Sequence, residues 1–133
     1  MHLKDISFII PVYNRPDEIY ELLKSFSELD GDKEFEIVIV EDGSKHKCEH
    51  IIENFNNLNI AYFFKKNSGP GDSRNFGMNV AKGKYFIILD SDIILPPDYN
   101  KILIKNLTKN FSDCFGGVDD SHHSFNYFQK AVS

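Results

Sequence analysis

Four short, nearly continuous apolar runs punctuate the chain: residues 6–12, 35–40, 60–64 and 84–89. Runs of this length, rich in β-branched and aromatic residues, predict strands covered on both faces. Between the first two, Ile19, Leu22, Leu23, Phe26 and Leu29 recur at helical spacing. Pro16 stands near the start of that helix, Asp17 and Glu18 favour its N-terminal dipole, and Gly31 lies just past its end. A second helix is predicted from about residue 47 to 55. A third is predicted over 73–81, capped by Asp72 or Ser73 and stopped before Gly83. The stretch before it, Asn67-Ser68-Gly69-Pro70-Gly71, reads as an irregular loop. Pro96 and Pro97 open a fourth helix carrying Ile102, Leu103, Leu107 and Phe111. Beyond it, residues 115–120 can form one more strand and turn, and residues 124–133 show no capped element.

The resulting order, β-α-β-α-β-α-β-α, predicts right-handed crossovers and an α/β fold, a mostly parallel sheet between helical layers. Ligands of such sheets bind beyond the carboxyl ends of the strands. Three polar clusters fall there: Tyr13 to Arg15, Glu41 to Ser44, and Asp90 to Asp92.

Composition narrows the partners. The 133 residues are enough for one domain with a sizeable core, and the twelve Phe suggest a well-filled interior. A formal charge of -5 leaves no basic footprint for nucleic acid. The charged N-terminus lacks a signal-peptide pattern, and no apolar run reaches membrane-spanning length. Cys48 and Cys114 lack metal-type or redox-type spacing, which favours reduced thiols and a cytoplasmic location.

Asp90 and Asp92 are the first candidate chemistry. On an extended chain, positions i and i+2 project to one side, so both carboxylates can converge on a hard cation. If the chain turns at Ser91, one of them ligates directly. As an isolated Asp-x-Asp, the pair reads more readily as a solvated acidic turn. Tyr13 offers a ring that can stack on a base, and Arg15 a guanidinium for phosphate oxygens. Asp42 can accept hydrogen bonds from a base or ribose, or simply form the turn before Gly43. The loop at 67–77 has neither Gly-x-Gly-x-x-Gly nor a P-loop lysine, although Arg74 can reach a phosphate. His46, Cys48 and His50 alternate among charged neighbours and read as a solvated face, and His122 and His123 as loop residues.

Taken in order, Phe8-Ile9-Ile10-Pro11-Val12-Tyr13-Asn14-Arg15, Ile37-Val38-Ile39-Val40-Glu41-Asp42-Gly43-Ser44, Asn67-Ser68-Gly69-Pro70 through Arg74-Asn75-Phe76-Gly77, and Gly83-Lys84-Tyr85 through Asp90-Ser91-Asp92 resemble the successive motifs of the family 2 glycosyltransferases. Each motif alone is weak, and four in order with the right spacing are strong. The resemblance implies a Rossmann-like GT-A fold, a nucleotide-diphospho-sugar donor with UDP-sugars favoured, a Mn or Mg ion, and inverting transfer to an acceptor in polysaccharide or glycoconjugate synthesis. By position it implies that Pro11 and Tyr13 line the base pocket, that Arg15 and Arg74 lie near the nucleotide, that Asp42 binds the base and that Ser91 lies near the ribose. Asp92 would be the direct metal ligand, with Asp90 beside it. Asp119 and Asp120 would touch donor sugar or acceptor. The family's general base lies well downstream of the Asp-x-Asp motif, so the expectation is a base beyond Ser133. Residues 1–133 would then be a donor-binding portion, with the acceptor side beginning near residue 112. Two other readings are a non-catalytic nucleotide-sugar-binding module and a haloacid-dehalogenase-like phosphatase. In the latter, Asp-x-Asp ends the first core strand; here it follows the fourth apolar run and precedes Ile93-Ile94.

Overall fold

The computed structural model describes residues 2–109, together with the short strands at 114–115 and 127–130. β1 (Ile6–Val12), β2 (Glu36–Asp42), β3 (Asn59–Lys65) and β4 (Tyr85–Ile88) are the four predicted strands. They pair in parallel in the order β3-β2-β1-β4. On the β4 side the sheet continues with antiparallel β6 (Tyr127–Lys130) and then β5 (Cys114–Phe115). β6 lies where the sequence pattern predicts no capped element; its partner, Tyr85 to Ile88 of β4, is about forty residues away in the chain and supplies the ladder.

Among the described residues four α-helices cover the sheet: α1 (Pro16–Ser27), α2 (Glu49–Ile52), α3 (Pro70–Val80) and α4 (Tyr99–Lys109). None of the described helices is long and apolar enough to cross a membrane. Strand alternation divides the interior into two layers. Phe8 and Ile10 of β1, with Ile37 and Ile39 of β2, pack against Leu22, Leu23 and Phe26 of α1, Ile51 of α2 and Leu103 of α4. Ile9, Val38 and Val40 face the other way, towards Phe76, Met78 and Val80 of α3. The three-layer arrangement predicted from the sequence is therefore present. Phe8 anchors the larger layer, its ring edge-on to Phe26 at 5.0 Å and to Phe35 at 5.3 Å, geometries that aromatic quadrupoles favour.

Two helix boundaries differ from the pattern-based reading. α3 starts at Pro70, not at Ser73, with Gly69 as its N-cap at φ 101. Proline at the first helical position loses no hydrogen bond, and glycine alone adopts the preceding backbone without strain, so the supposed loop residues in fact open the helix. α2 is shorter than predicted, at four residues: Glu53 keeps right-handed angles, φ -60 and ψ -21, but the Asn54 and Phe55 N–H groups bond the carbonyls three residues back, Ile51 O and Ile52 O, so the α-helix passes into turns.

Candidate functional site

The carboxyl ends of β1 and β4 and the first turns of α1 and α3 enclose an open cleft of about 410 Å³. It is lined by Pro11, Tyr13, Arg15, Glu18, Pro70, Arg74, Asp90, Ser91 and Asp92. Seven of these nine were singled out in the sequence; Glu18 and Pro70 were not.

β4 ends at Ile88, and Leu89 still donates its N–H to Ile9 O at 3.0 Å. The chain then turns at Ser91 and Asp92, with Ile93 N–H reaching Asp90 O at 3.3 Å. Asp90 and Asp92 are thus not successive outward positions of one extended strand. Both are exposed and both line the cleft. Among the described residues no group of three or more Asp, Glu, His or Cys is placed to hold a metal. A cation here would depend on one or two carboxylates and take its other oxygens from ligand and water, the usual habit of Mg²⁺.

Glu18 in the first turn of α1 holds this segment. Its Oε1 accepts a hydrogen bond from Ser91 Oγ at 2.9 Å and lies 3.8 Å from Arg15 Nε. Ser91 is 73 residues away, a separation no local pattern reveals. Nothing in the spacing around Glu18 distinguishes it from an ordinary first-turn acid.

Just past β1, Tyr13 is 52% exposed, and Arg15 is the N-cap residue of α1. Between them Asn14 adopts φ 52, the one positive φ outside glycine among the described residues. Arg74 of α3 reaches the cleft with its Nε buried and without a hydrogen-bond partner. A buried guanidinium N–H of this kind is unsatisfied until an acceptor enters.

Asp42 is placed differently. It closes β2, is 5% exposed and lies outside the cleft's lining. Lys65, its partner in register on β3, donates to Oδ1 at 2.6 Å. Ser68 N–H donates to the same oxygen at 2.9 Å and Gly69 N–H to Oδ2 at 3.0 Å, while Asn67 Nδ2 bonds the Asp42 carbonyl at 2.9 Å. Burial pushes this carboxyl up, but Lys65 and the two backbone N–H groups outweigh it and hold it below the ordinary carboxylate value. Asp42 thereby fixes the segment that leads into α3, whose Pro70 and Arg74 line the cleft. Gly43 makes the approach possible: it sits at φ 71, and a Cβ there would lie 2.6 Å from Asn67 N.

Asp119 and Asp120 lie outside the described residues, as do His122 and His123. His46 and His50 are exposed and Cys48 is buried, and these three do not line the cleft.

Comparison with known proteins agrees with the geometry. Residues 7–131 match the family model described as glycosyl transferase family 2. An uncharacterized glycosyltransferase of Rickettsia felis is 38% identical over 111 residues, covering 83% of this chain and 18% of that protein. The poly(ribitol-phosphate) beta-N-acetylglucosaminyltransferase TarS of Staphylococcus aureus is 34% identical over 123 residues, 89% of this chain and 19% of TarS. The chain thus spans about a fifth of the length of these relatives. The crystal structure of TarS 1-349 in complex with UDP-GlcNAc superposes with a TM-score of 0.78 at 32% identity, over 88% of this chain and 37% of that one. A mannosyltransferase of Pyrobaculum calidifontis, solved with GDP-Man and Mn2+, shares the fold with a TM-score of 0.78 at 21% identity, over 87% of this chain and 36% of that one.

Proposed function

The chain belongs to glycosyl transferase family 2, and from that premise we propose that its cleft binds the nucleoside diphosphate of a nucleotide-diphospho-sugar for metal-dependent, inverting transfer of the sugar to an acceptor. The observation that carries this reading is the convergence of an exposed aromatic ring, two guanidinium groups and two carboxylates on one open cleft. An exposed Tyr13 ring suits stacking on a base. Arg15 and Arg74 suit the diphosphate, Arg74 with a buried N–H still to be satisfied. Asp90 and Asp92 suit a Mn or Mg ion, with Asp92 the direct ligand. When bound, that ion supplies Lewis-acid neutralisation of the diphosphate leaving group. Ser91, held by Glu18, would stand at the ribose. A base edge reaching Asp42 would share its oxygens with Lys65 and the Ser68 and Gly69 N–H groups.

UDP is the favoured nucleotide, by likeness to TarS and its UDP-GlcNAc complex. The general base is assigned to no described residue, and the chain acts as the donor-binding portion, with the acceptor side beginning near residue 112. The phosphatase alternative falls with the topology, since Asp90-Ser91-Asp92 follows the fourth strand and not the first.

Saturation-transfer NMR with UDP-GlcNAc and GDP-mannose in Mg²⁺ tests the reading. Transfer to base and ribose protons of UDP-GlcNAc, displaced by unlabelled UDP, is expected. Absence of transfer to either nucleotide sugar would overturn it.

A further inference from the structure

β2 ends in two adjacent carboxylates, which strand alternation sends to opposite faces of the sheet. Asp42 faces α3, as described. Glu41 faces α1 and α2, does not line the cleft and is fully buried. A carboxylate in that position is tolerated only when its lone pairs are satisfied. Glu41 meets this condition with three donors. The Cys48 N–H reaches Oε1 at 2.8 Å and the Tyr62 hydroxyl reaches the same oxygen at 2.9 Å, while the Ser44 hydroxyl donates to Oε2.

The consequence for the cleft lies one bond further on. Because the Ser44 proton is committed to Glu41, Ser44 Oγ presents a lone pair to the Asn14 N–H, 2.8 Å away. The Asn14 side chain returns the contact, its Oδ1 accepting the N–H groups of Lys45 at 2.7 Å and His46 at 3.1 Å. Asparagine tolerates the left-handed region better than most residues but does not favour it, so φ 52 needs these bonds. A left-handed residue between Tyr13 and Arg15 sets the direction in which both side chains leave the backbone.

We propose that Glu41 is a positioning residue, which acts through Ser44 to hold the Asn14 turn and so sets Tyr13 and Arg15 along the cleft for a nucleoside diphosphate. The ligand in this statement rests on the function proposed above; the hold on Asn14 does not.

The test uses the full chain with Ser44→Ala, and with Glu41→Gln as the second variant, under conditions where both are folded. Two quantities are read: amide hydrogen exchange at Asn14, and affinity for UDP in Mg²⁺. In both variants the Asn14 amide is expected to exchange about tenfold faster while the Ile9 and Ile10 amides keep their protection. UDP is expected to bind about three- to tenfold more weakly, the scale of one lost hydrogen bond. Should Glu41→Gln fail to fold, Ser44→Ala carries both readouts, since it leaves the buried carboxylate with two donors. Unchanged exchange at Asn14 would overturn the hold, and unchanged UDP affinity despite faster exchange would overturn its role in the cleft. If the wild type binds no UDP, the proposed ligand fails, and exchange at Asn14 alone decides whether Glu41 holds the turn.

Discussion

The carboxylates that end β2, behind the cleft, and those that follow β4, in it, are placed on different principles. On one side Glu41 and Asp42 are buried, and their oxygens are filled by donors from β3, α2 and the loops around them. On the other side Asp90 and Asp92 are exposed, and their turn is tied to α1 by the hydrogen bond from Ser91 to Glu18. Four carboxylates at the ends of two neighbouring-but-one strands thus divide into a pair spent on architecture and a pair kept at the surface. Under the proposed function, preorganisation accounts for the division: the backbone behind a ligand site is fixed beforehand, whereas carboxylates proposed to meet a cation stay at the surface.

If this contrast is right, substitutions on the buried side cost stability first, and those on the exposed side cost binding with little loss of stability. The largest effect is expected for Asp42→Ala, which takes from Lys65 its ion-pair partner in a largely buried site and from the Ser68 and Gly69 N–H groups their acceptor; about 3 kcal/mol should be lost in urea unfolding. Gly43→Ala follows at about 2 kcal/mol, because it combines a strained φ with a contact against Asn67 backbone. Acid should then weaken the buried side. The folded Asp42 carboxyl is held below its ordinary value of 3.8, so its contribution is present above that pH and is lost as pH falls through the lower folded value. The acid limb of the wild-type stability profile should accordingly be steeper than that of Asp42→Asn. The smallest effect on stability is expected for Glu18→Ala, under about 1 kcal/mol for a partly exposed hydrogen bond and a loose ion pair. The same variant should still weaken UDP binding severalfold by freeing Ser91 and Arg15. A Glu18→Ala loss as large as that of Asp42→Ala would erase the distinction.

The parallel core was legible because strands covered on both faces leave near-continuous apolar runs, as β1, β2 and β4 do; β3, at the edge of the sheet, keeps such a run although none of its residues is buried. Most of the cleft was legible for a related reason: topology alone brings Tyr13, Arg15 and Asp90 to Asp92 to the same rim. What the pattern could not show were contacts made across the fold. Glu18 finds Ser91, and Asp42 finds Lys65 and the loop before α3, only after the strands have paired. The extra strand β6 was invisible for the same reason, since its four residues carry no cap or turn signal and join the sheet by pairing with β4, about forty residues away, and with the two-residue β5. The start of α3 was misplaced because proline and glycine, which usually break structure, here serve as its first residue and its cap.

In the proposed function, Asp90 and Asp92 bind a diphosphate through a divalent ion. Calorimetric titration of UDP into the wild type and into Asp92→Ala, each with Mn²⁺ and with a chelator, tests it most directly. Binding by the wild type only with Mn²⁺, and its loss in an Asp92→Ala protein of unchanged stability, is the predicted result. Equal affinity in both proteins, with or without the metal, would mean that Asp92 holds no metal for the nucleotide.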